Sequence, residues 1–305
     1  MADINYSIII PHKNIPDLLR RCLNSIPRRD DIQIIVVDDN SDEDKVDFKH
    51  FPGVGEKCVE VYFTKEGRGA GYARNVGLTH AKGKWLLFAD ADDFYVQDAW
   101  DYFDNYLNAQ IDILYFGVKC VDSFTLLPAS RELNNNTVIA TFLSGEKEGE
   151  QLLRYTCWEP WNKMWNHDFV SSNQLQFEEI LRGNDAMFVL HGGDKARVVN
   201  AIDNQLYVVT YRSQSLSYRV TKESLFSSLQ LRIRINKFYK KRSLSKLRVS
   251  ILSDIFQIYK HFGLKMALKA TFLVFKERGD FFIFFFDTAG WKQLFRQIYG
   301  SLLIF

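Results

Sequence analysis

Cysteine is scarce and unpatterned in this chain of 305 residues. Cys22, Cys58, Cys120 and Cys157 form no Cys-x-x-Cys pair and keep no histidine spacing suited to zinc. That excludes a disulfide scaffold or a zinc finger and fits a reducing compartment, so a cytoplasmic protein is expected. Long apolar runs are also missing: none reaches the ~20 residues a membrane-spanning helix needs. Residues 1–5 lack a basic stretch followed by an apolar one, so no signal peptide is expected. Asn135-Asn136-Thr137 matches a glycosylation sequon, which has no meaning in a cytosolic chain. A net charge of +2 by itself selects neither nucleic acid nor membrane as a partner. Acidic residues are, however, nearly absent from residues 219–248, where Glu223 stands alone. What is plentiful is apolar and aromatic material, with 25 Phe and 14 Tyr, enough to bury a core. The length suits one large domain, or one domain with an extension.

The most informative stretch is Trp85-Leu86-Leu87-Phe88-Ala89-Asp90-Ala91-Asp92-Asp93. An apolar run at 85–89 that stops in carboxylates reads as a buried parallel strand, and such sheets bind ligands beyond the carboxyl ends of their strands. Asp90 and Asp92, two positions apart, share a face of an extended segment. Carboxylates this close repel and need a cation or hydrogen-bond donors. Mg²⁺ or Mn²⁺ carrying the phosphates of a substrate is the economical partner. The plainer reading is a helix cap, and Asp93 is expected to cap a helix at 95–107.

Taken in order, residues 6–10, 32–37, 59–63 and 85–89 read as strands, and 16–26 and 70–80 as helices, with a short helix at 44–48. This βαβαβαβ order predicts a Rossmann-like, mixed but mostly parallel sheet with crossover helices. Each strand ends in polar residues: Pro11-His12-Lys13-Asn14, then Asp39, then a Gly67-Arg68-Gly69-Ala70-Gly71 loop leading to Arg74-Asn75, then Asp90 and Asp92. Parallel strands point one way, so the four clusters meet at one sheet edge, which is the layout of a nucleotide site. The glycine loop suits phosphate at a helix N-terminus. It is not a dinucleotide fingerprint, because position 72 is Tyr and the loop follows the third strand rather than the first.

These segments, Tyr6–Pro11, Ile34–Ser41, Gly71–Leu78 and Lys82–Asp93, resemble in order and spacing the family 2 glycosyltransferases. The resemblance implies the GT-A nucleotide-sugar-binding fold over the first hundred residues. It places Pro11, His12 and Asn14 at the nucleoside, Asp39 on the base, and Arg74 and Asn75 near base and diphosphate. Asp90-Ala91-Asp92 then corresponds to the DxD motif, with Asp90 near the ribose and Asp92 on the metal. His12 departs from the family, which more often has a small or aromatic residue there.

In the middle third, residues 111–117 read as a strand, 134–136 as a loop and 146–155 as a helix. Trp158, Trp161 and Trp165 crowd a short segment. They are either core or a platform on which a sugar face stacks. Trp161-Asn162-Lys163, His167-Asp168-Phe169, Phe177-Glu178-Glu179 and Gly183-Asn184-Asp185 resemble the acceptor half of capsule- and exopolysaccharide-type bacterial members. By that resemblance Trp158, Trp161 and Lys163 meet the acceptor and Asp185 is the general base. Relatives carry an acidic pair there; here Asn184 replaces the first acid, while one carboxylate suffices for a base. Glu178 and Glu179 are reserve candidates, and Asp185 also suits a helix N-cap before 186–191. Tyr211-Arg212 resembles the loop that folds over the diphosphate, where Arg212 would neutralise leaving-group charge; a solvated arginine is the alternative.

From 219 the chain is basic and loosely helical, which suits a solvated face or an anionic membrane surface; no nucleic-acid motif accompanies it. Leu264, Leu268, Phe272 and Phe275 mark one face of a helix at 264–275. Residues 281–286 are wholly apolar, and Trp291, Phe295 and Tyr299 follow. This tail is either interfacial or packed on its own domain. The expected organisation is a GT-A domain at 1–218 (nucleotide-sugar half 1–117, acceptor half 118–218) and a helical extension at 219–305. The expected activity is metal-dependent, inverting transfer from a nucleotide diphosphate sugar, uridine-linked, to a hydroxyl of a glycan or lipid-linked glycan in surface polysaccharide synthesis. The enzyme would be cytoplasmic and peripheral on the inner face of the plasma membrane. Two rivals are a nucleotide-sugar-binding subunit without turnover and a dinucleotide-dependent oxidoreductase.

Overall fold

The strands form where apolar runs can be buried on both faces. In β1 (Tyr6–His12), β2 (Ile32–Asp39) and β4 (Trp85–Phe88) every residue is buried. Side chains alternate along a strand. Tyr6, Ile8, Ile10, Ile34, Val36, Trp85 and Leu87 therefore enter one core, and Ile9, Ile35, Val37, Leu86 and Phe88 the other. The computed structural model describes residues 3–129, 134–212 and 220–277. The chain divides into two compact units, Met1–Ile180 with Asn184–Ser213, and Leu181–Gly183 with Gln214–Phe305.

The first unit holds a mixed sheet. β3 (Val59–Thr64), β5 (Phe94–Tyr95), β6 (Ile113–Asp122), β7 (Lys163–Asn166) and β8 (Val199–Tyr211) complete the order β3-β2-β1-β4-β7-β6-β8-β5. β1 runs parallel to β2 and β4, and β2 to β3. β7 is antiparallel to both β4 and β6, and β6 is parallel to β8. The carboxyl ends of β1, β2, β3 and β4 thus share one edge, as the sequence order requires. Helices α1 (Pro16–Asn24) and α2 (Ala70–His80) are the crossovers. α2 lies tight on β1 because Gly77 has no Cβ, which would run into Ile9.

Several expectations are corrected. Asp93 caps no helix: β5 follows it directly, and α3 (Ala99–Asn105) begins later. Residues 44–48 form no helix; a single 3₁₀ turn spans Phe48–His50. The asparagines at 134–136, read as loop, lead into α4 (Asn135–Leu143), where Asn136 bonds both the N–H and the C=O of Val118 on β6. α5 (Gly149–Thr156), α6 (His167–Ser172) and α7 (Ala186–Lys195) complete the unit.

In the second unit, α8 (Lys222–Lys241) starts at a Thr221–Ser224 capping box, and α9 (Leu252–Lys276) is interrupted at Gly263 (φ 76°). Their core contains Leu225, Leu229, Ile233, Ile258, Ala270 and Val274. No helix among the described residues is long and apolar enough to cross a membrane. The apolar 281–286 run, Trp291, Phe295 and Tyr299 lie outside the described residues.

Candidate active site

Two loops are sewn together beyond β1 and β2. The Ile15 N–H donates to Nε2 of His12 at 3.1 Å, which leaves the ring proton on Nδ1 to donate to Asp38 Oδ1 at 2.7 Å. Asp38 also accepts from the Ser41 N–H and hydroxyl, and that hydroxyl accepts from the Asn14 N–H at 2.8 Å. Burial pushes the Asp38 carboxyl up, yet the bonds from His12 and Ser41 outweigh it and hold it below the usual range. Asn14, in the left-handed region at φ 60°, bonds Asp42 through both its amide groups. His12 is buried beneath the loops, so it positions them rather than touching a ligand. His12→Ala leaves buried Asp38 short of a donor. It is expected to cost about 1–3 kcal/mol in denaturant titration and to loosen the pocket edge, read as weaker nucleotide binding.

Asp39 sits at the mouth of these loops. Its Oδ2 accepts the Gly69 N–H at 2.9 Å, while its Oδ1 is buried with no partner in the protein. A buried carboxylate oxygen without a donor is rare, and it calls for a donor from a ligand. Pro11 and Ala91 are buried in the strand end and the core, so they shape the site from behind.

Asp90, Asp92 and Asp93 each bring an oxygen within 4.8 Å of the others. The turn is held by the protein: Arg21 donates to the Asp92 carbonyl at 2.6 Å, the Thr210 hydroxyl donates to that carbonyl, and the Thr210 N–H donates to Asp93 Oδ1. Burial raises both Asp92 and Asp93, and repulsion between the neighbouring acids adds to it. Arg212 opposes this at Asp92, donating from Nε and Nη2 to Oδ2 at 3.2 and 3.1 Å. All-oxygen donors in a crowded, mutually repelling set fit a hard divalent cation. Asp92 and Asp90 would hold it, since Asp93 is buried and already bonded.

Arg74, on α2, spans the site. Nη2 meets Asp90 Oδ1 at 2.5 Å and Nη1 donates to Asn184 Oδ1 at 2.8 Å, while the guanidinium lies 5.3 Å from the Phe177 ring centre. Asn184, the odd residue beside the expected base, is thus a neutral acceptor for Arg74. Asn75 does not face a diphosphate: its amide donates to the Phe177 carbonyl and accepts the Phe177 N–H, clamping that segment's backbone. Gly71 serves the same packing, since a Cβ there would collide with the Glu178 carbonyl.

Asp185 occupies the N-cap position of α7 but makes no side-chain cap bond, so its carboxylate is not spent on the helix. Burial raises its pKa to about 6; Arg74 opposes the rise, and Glu159 and Asp90 add to it. A carboxyl poised near neutrality is suited to accepting a proton. Of the reserve acids, Glu179 is paired with Arg68.

The acceptor-side expectations need correction. Lys163 has no exposed surface; Nζ donates to the Glu159 carbonyl and to Asn162 Oδ1, and desolvation lowers its pKa to about 8. Trp161 is buried, stacked 5.3 Å from Tyr207. Lys163 is buried because β7 is an interior strand, and Trp161, in the turn before it, because it packs into the core against Tyr207. Trp158 alone of the three expected contacts keeps part of its surface open. Sequence reading missed Arg21 and Tyr207, which reach the site only through long-range packing, and passed over Glu159 and Thr210, which adjoin residues it did name. Tyr207, whose hydroxyl accepts the Asp90 N–H, lies on a strand that pairs far from the acid turn in sequence.

Comparisons with known proteins agree with this geometry. The family model for glycosyl transferase family 2 matches residues 7–139. The uncharacterized glycosyltransferase EpsJ of Bacillus subtilis is 25% identical over 230 residues, covering 73% of this chain and 66% of that protein. The poly(ribitol-phosphate) beta-glucosyltransferase of Bacillus spizizenii is 35% identical over 98 residues, 30% of this chain and 16% of that protein. The chain thus spans less than two thirds of the length of the curated relatives it matches. Among solved structures, S. aureus TarS 1-349 in complex with UDP-GlcNAc superposes with a TM-score of 0.64 at 18% identity, covering 88% of this chain and 79% of that one. The Pyrobaculum calidifontis mannosyltransferase PcManGT in complex with GDP-Man and Mn2+ gives a TM-score of 0.55 at 14% identity, covering 90% and 81%. At those identities the likeness concerns the fold. With that fold and the acid turn at its sheet edge, residues 7–139 are matched as a family 2 glycosyltransferase domain, and the chain has the GT-A architecture.

Proposed function

We propose that this chain transfers a sugar from a nucleotide diphosphate sugar to a hydroxyl of a glycan or lipid-linked glycan, with inversion, in bacterial surface polysaccharide synthesis at the cytoplasmic face of the plasma membrane. One observation carries the reading. Arg74 ties Asp90 of the acid turn to Asn184, the neighbour of a carboxyl raised to about 6. This supports the reading that the acid turn and Asp185 serve one site.

Asp39 Oδ1 accepts the imino N–H of the base, which favours uracil over adenine and cytosine; thymine and guanine also present such a donor. Asp90 and Asp92 would hold a Mn²⁺ or Mg²⁺ ion, which would supply electrostatic stabilisation to the negative charge of the diphosphate. Arg212 adds a second positive group there. Asp185 takes the proton of the acceptor hydroxyl as its oxygen forms the new bond to the sugar carbon. The nucleotide diphosphate leaves from the opposite face. Trp158 offers a partly open aromatic face to the acceptor.

The test is thermal stabilisation by a panel of nucleotide diphosphates and their sugars, with Mn²⁺ and with chelator. At a hundred times its dissociation constant a ligand adds about 2.7 kcal/mol, a readily measured shift. A metal-dependent shift with one uridine ligand is the expected result. A shift with thymidine or guanosine ligands alone would reassign the base, and no shift with any would remove the donor reading. Donor hydrolysis separates a working enzyme from a binding subunit without turnover.

A further inference from the structure

The second unit carries a charge imbalance that the transfer chemistry does not use. Residues 220–277 hold thirteen lysines and arginines against three acids, a formal charge of +10 in a protein whose whole charge is +2. Two of those acids are already engaged, Asp254 by Arg232 at 3.0 Å and Glu277 by Lys237 at 3.1 Å. Beyond the Gly263 interruption, α9 buries Ala267, Ala270 and Val274 on one side. On another side Leu264, Leu268 and Phe272 recur at every fourth position, 61–68% exposed. Lys265 and Lys269 follow the two leucines by one residue and are exposed too. Residues 255–276 contain no Asp or Glu.

An apolar stripe bordered by lysines, on a segment without acids, suits one partner better than others. A protein partner would have to match a narrow apolar ridge, and a nucleic acid would leave the leucines and phenylalanine in water. An anionic lipid surface takes both, with apolar side chains among the acyl chains and ammonium groups at the headgroups. We propose that this face of α9 is a membrane-docking surface for anionic phospholipid. The proposal does not rest on the transfer chemistry, and its test needs neither donor nor turnover.

The experiment is co-sedimentation of the full chain with vesicles of pure phosphatidylcholine and of an equimolar phosphatidylcholine–phosphatidylglycerol mixture. Binding to the mixed vesicles, weakened by salt and near zero on the neutral ones, is expected. The Lys265→Gln/Lys269→Gln variant should bind about fivefold more weakly for each lysine removed. The Leu264→Ser/Leu268→Ser/Phe272→Ser variant should lose binding while keeping its circular dichroism, because all three side chains are exposed. Absence of binding to mixed vesicles overturns the proposal. So does equal binding to both vesicles, or retention by the triple variant. A self-associated form in light scattering that the triple variant abolishes would make the face a contact between two copies instead. Binding of a duplex oligonucleotide in place of vesicles would make the charge a nucleic-acid surface.

Discussion

Asp185→Asn is expected to lower kcat by about 10²–10⁴-fold, the usual worth of a positioned base, while making the protein more stable at neutral pH. The two effects share one cause. Burial raises the Asp185 pKa from the ordinary carboxylate range to about 6, so ionising it in the folded state is costly. The sign follows from linkage. Below about pH 4 the carboxyl is protonated in folded and unfolded chains, and wild type and variant should be equally stable from this source. As pH rises from about 4 to about 6 the wild type loses that parity, because the unfolded chain releases the proton first. The asparagine has no proton to lose. A shift of about two units is worth at most about 3 kcal/mol, and the residue's partial solvent access brings the expected gain nearer ~2 kcal/mol, read from denaturant titrations at pH 4 and pH 8. Catalysis needs the ionised form, so wild-type kcat/KM should climb with pH and level off above about 6, a limb the variant lacks. Wild-type turnover in the variant would pass the role to one of the reserve acids, Glu178 or Glu179. A normal rate without the stability gain would show that the carboxyl is neither the base nor strained.

The sheet edge was legible because its strands are apolar without interruption and end in polar residues. A strand buried on both faces needs no distant partner to be recognised, as Ile34 to Val37 and Trp85 to Phe88 illustrate. The acid turn was legible because like charges at that spacing have few uses. What sequence concealed is what long-range packing decides. Phe94–Tyr95 is a strand only because β8 lies beside it, so Asp93 looked like a helix cap. Trp161 and Lys163 carry the chemistry of a sugar contact, but Lys163 is on β7, buried between β4 and β6, and Trp161 is packed on Tyr207. Asn75 suits a phosphate, yet the Phe177 backbone takes both of its amide groups. His12, an oddity in sequence, becomes intelligible once Asp38 and the Ile15 N–H are seen on either side of its ring.

Asp92→Asn and Arg212→Gln should both reduce turnover and should move metal affinity in opposite directions. Asp92 lies among acids that raise its pKa, and Arg212 is the group that counters them, with two N–H donors on the single oxygen Oδ2. A divalent cation on that oxygen must displace the guanidinium. Removing the carboxylate removes the ligand: Asp92→Asn is expected to lose about 10²–10³-fold in kcat, the scale of one electrostatic contact to a developing charge, and the metal-dependent part of the nucleotide-induced melting shift. Removing the guanidinium removes a competitor. A hydrogen-bonded ion pair of this kind is worth about 1.5–3 kcal/mol, so Arg212→Gln should tighten Mn²⁺ binding by about ten- to a hundredfold in a titration without nucleotide. Its turnover should nonetheless fall, because the displaced arginine is then missing from the diphosphate. The pairing of a gain in metal affinity with a loss in rate is what distinguishes a residue exchanged between two anions from one that merely steadies the turn. If Arg212→Gln left Mn²⁺ affinity unchanged, the exchange would be wrong and Arg212 would act on the leaving group alone. If it weakened Mn²⁺ binding, the arginine would be holding Asp92 in place for the metal, and the same 3.1 Å contact would have a structural meaning.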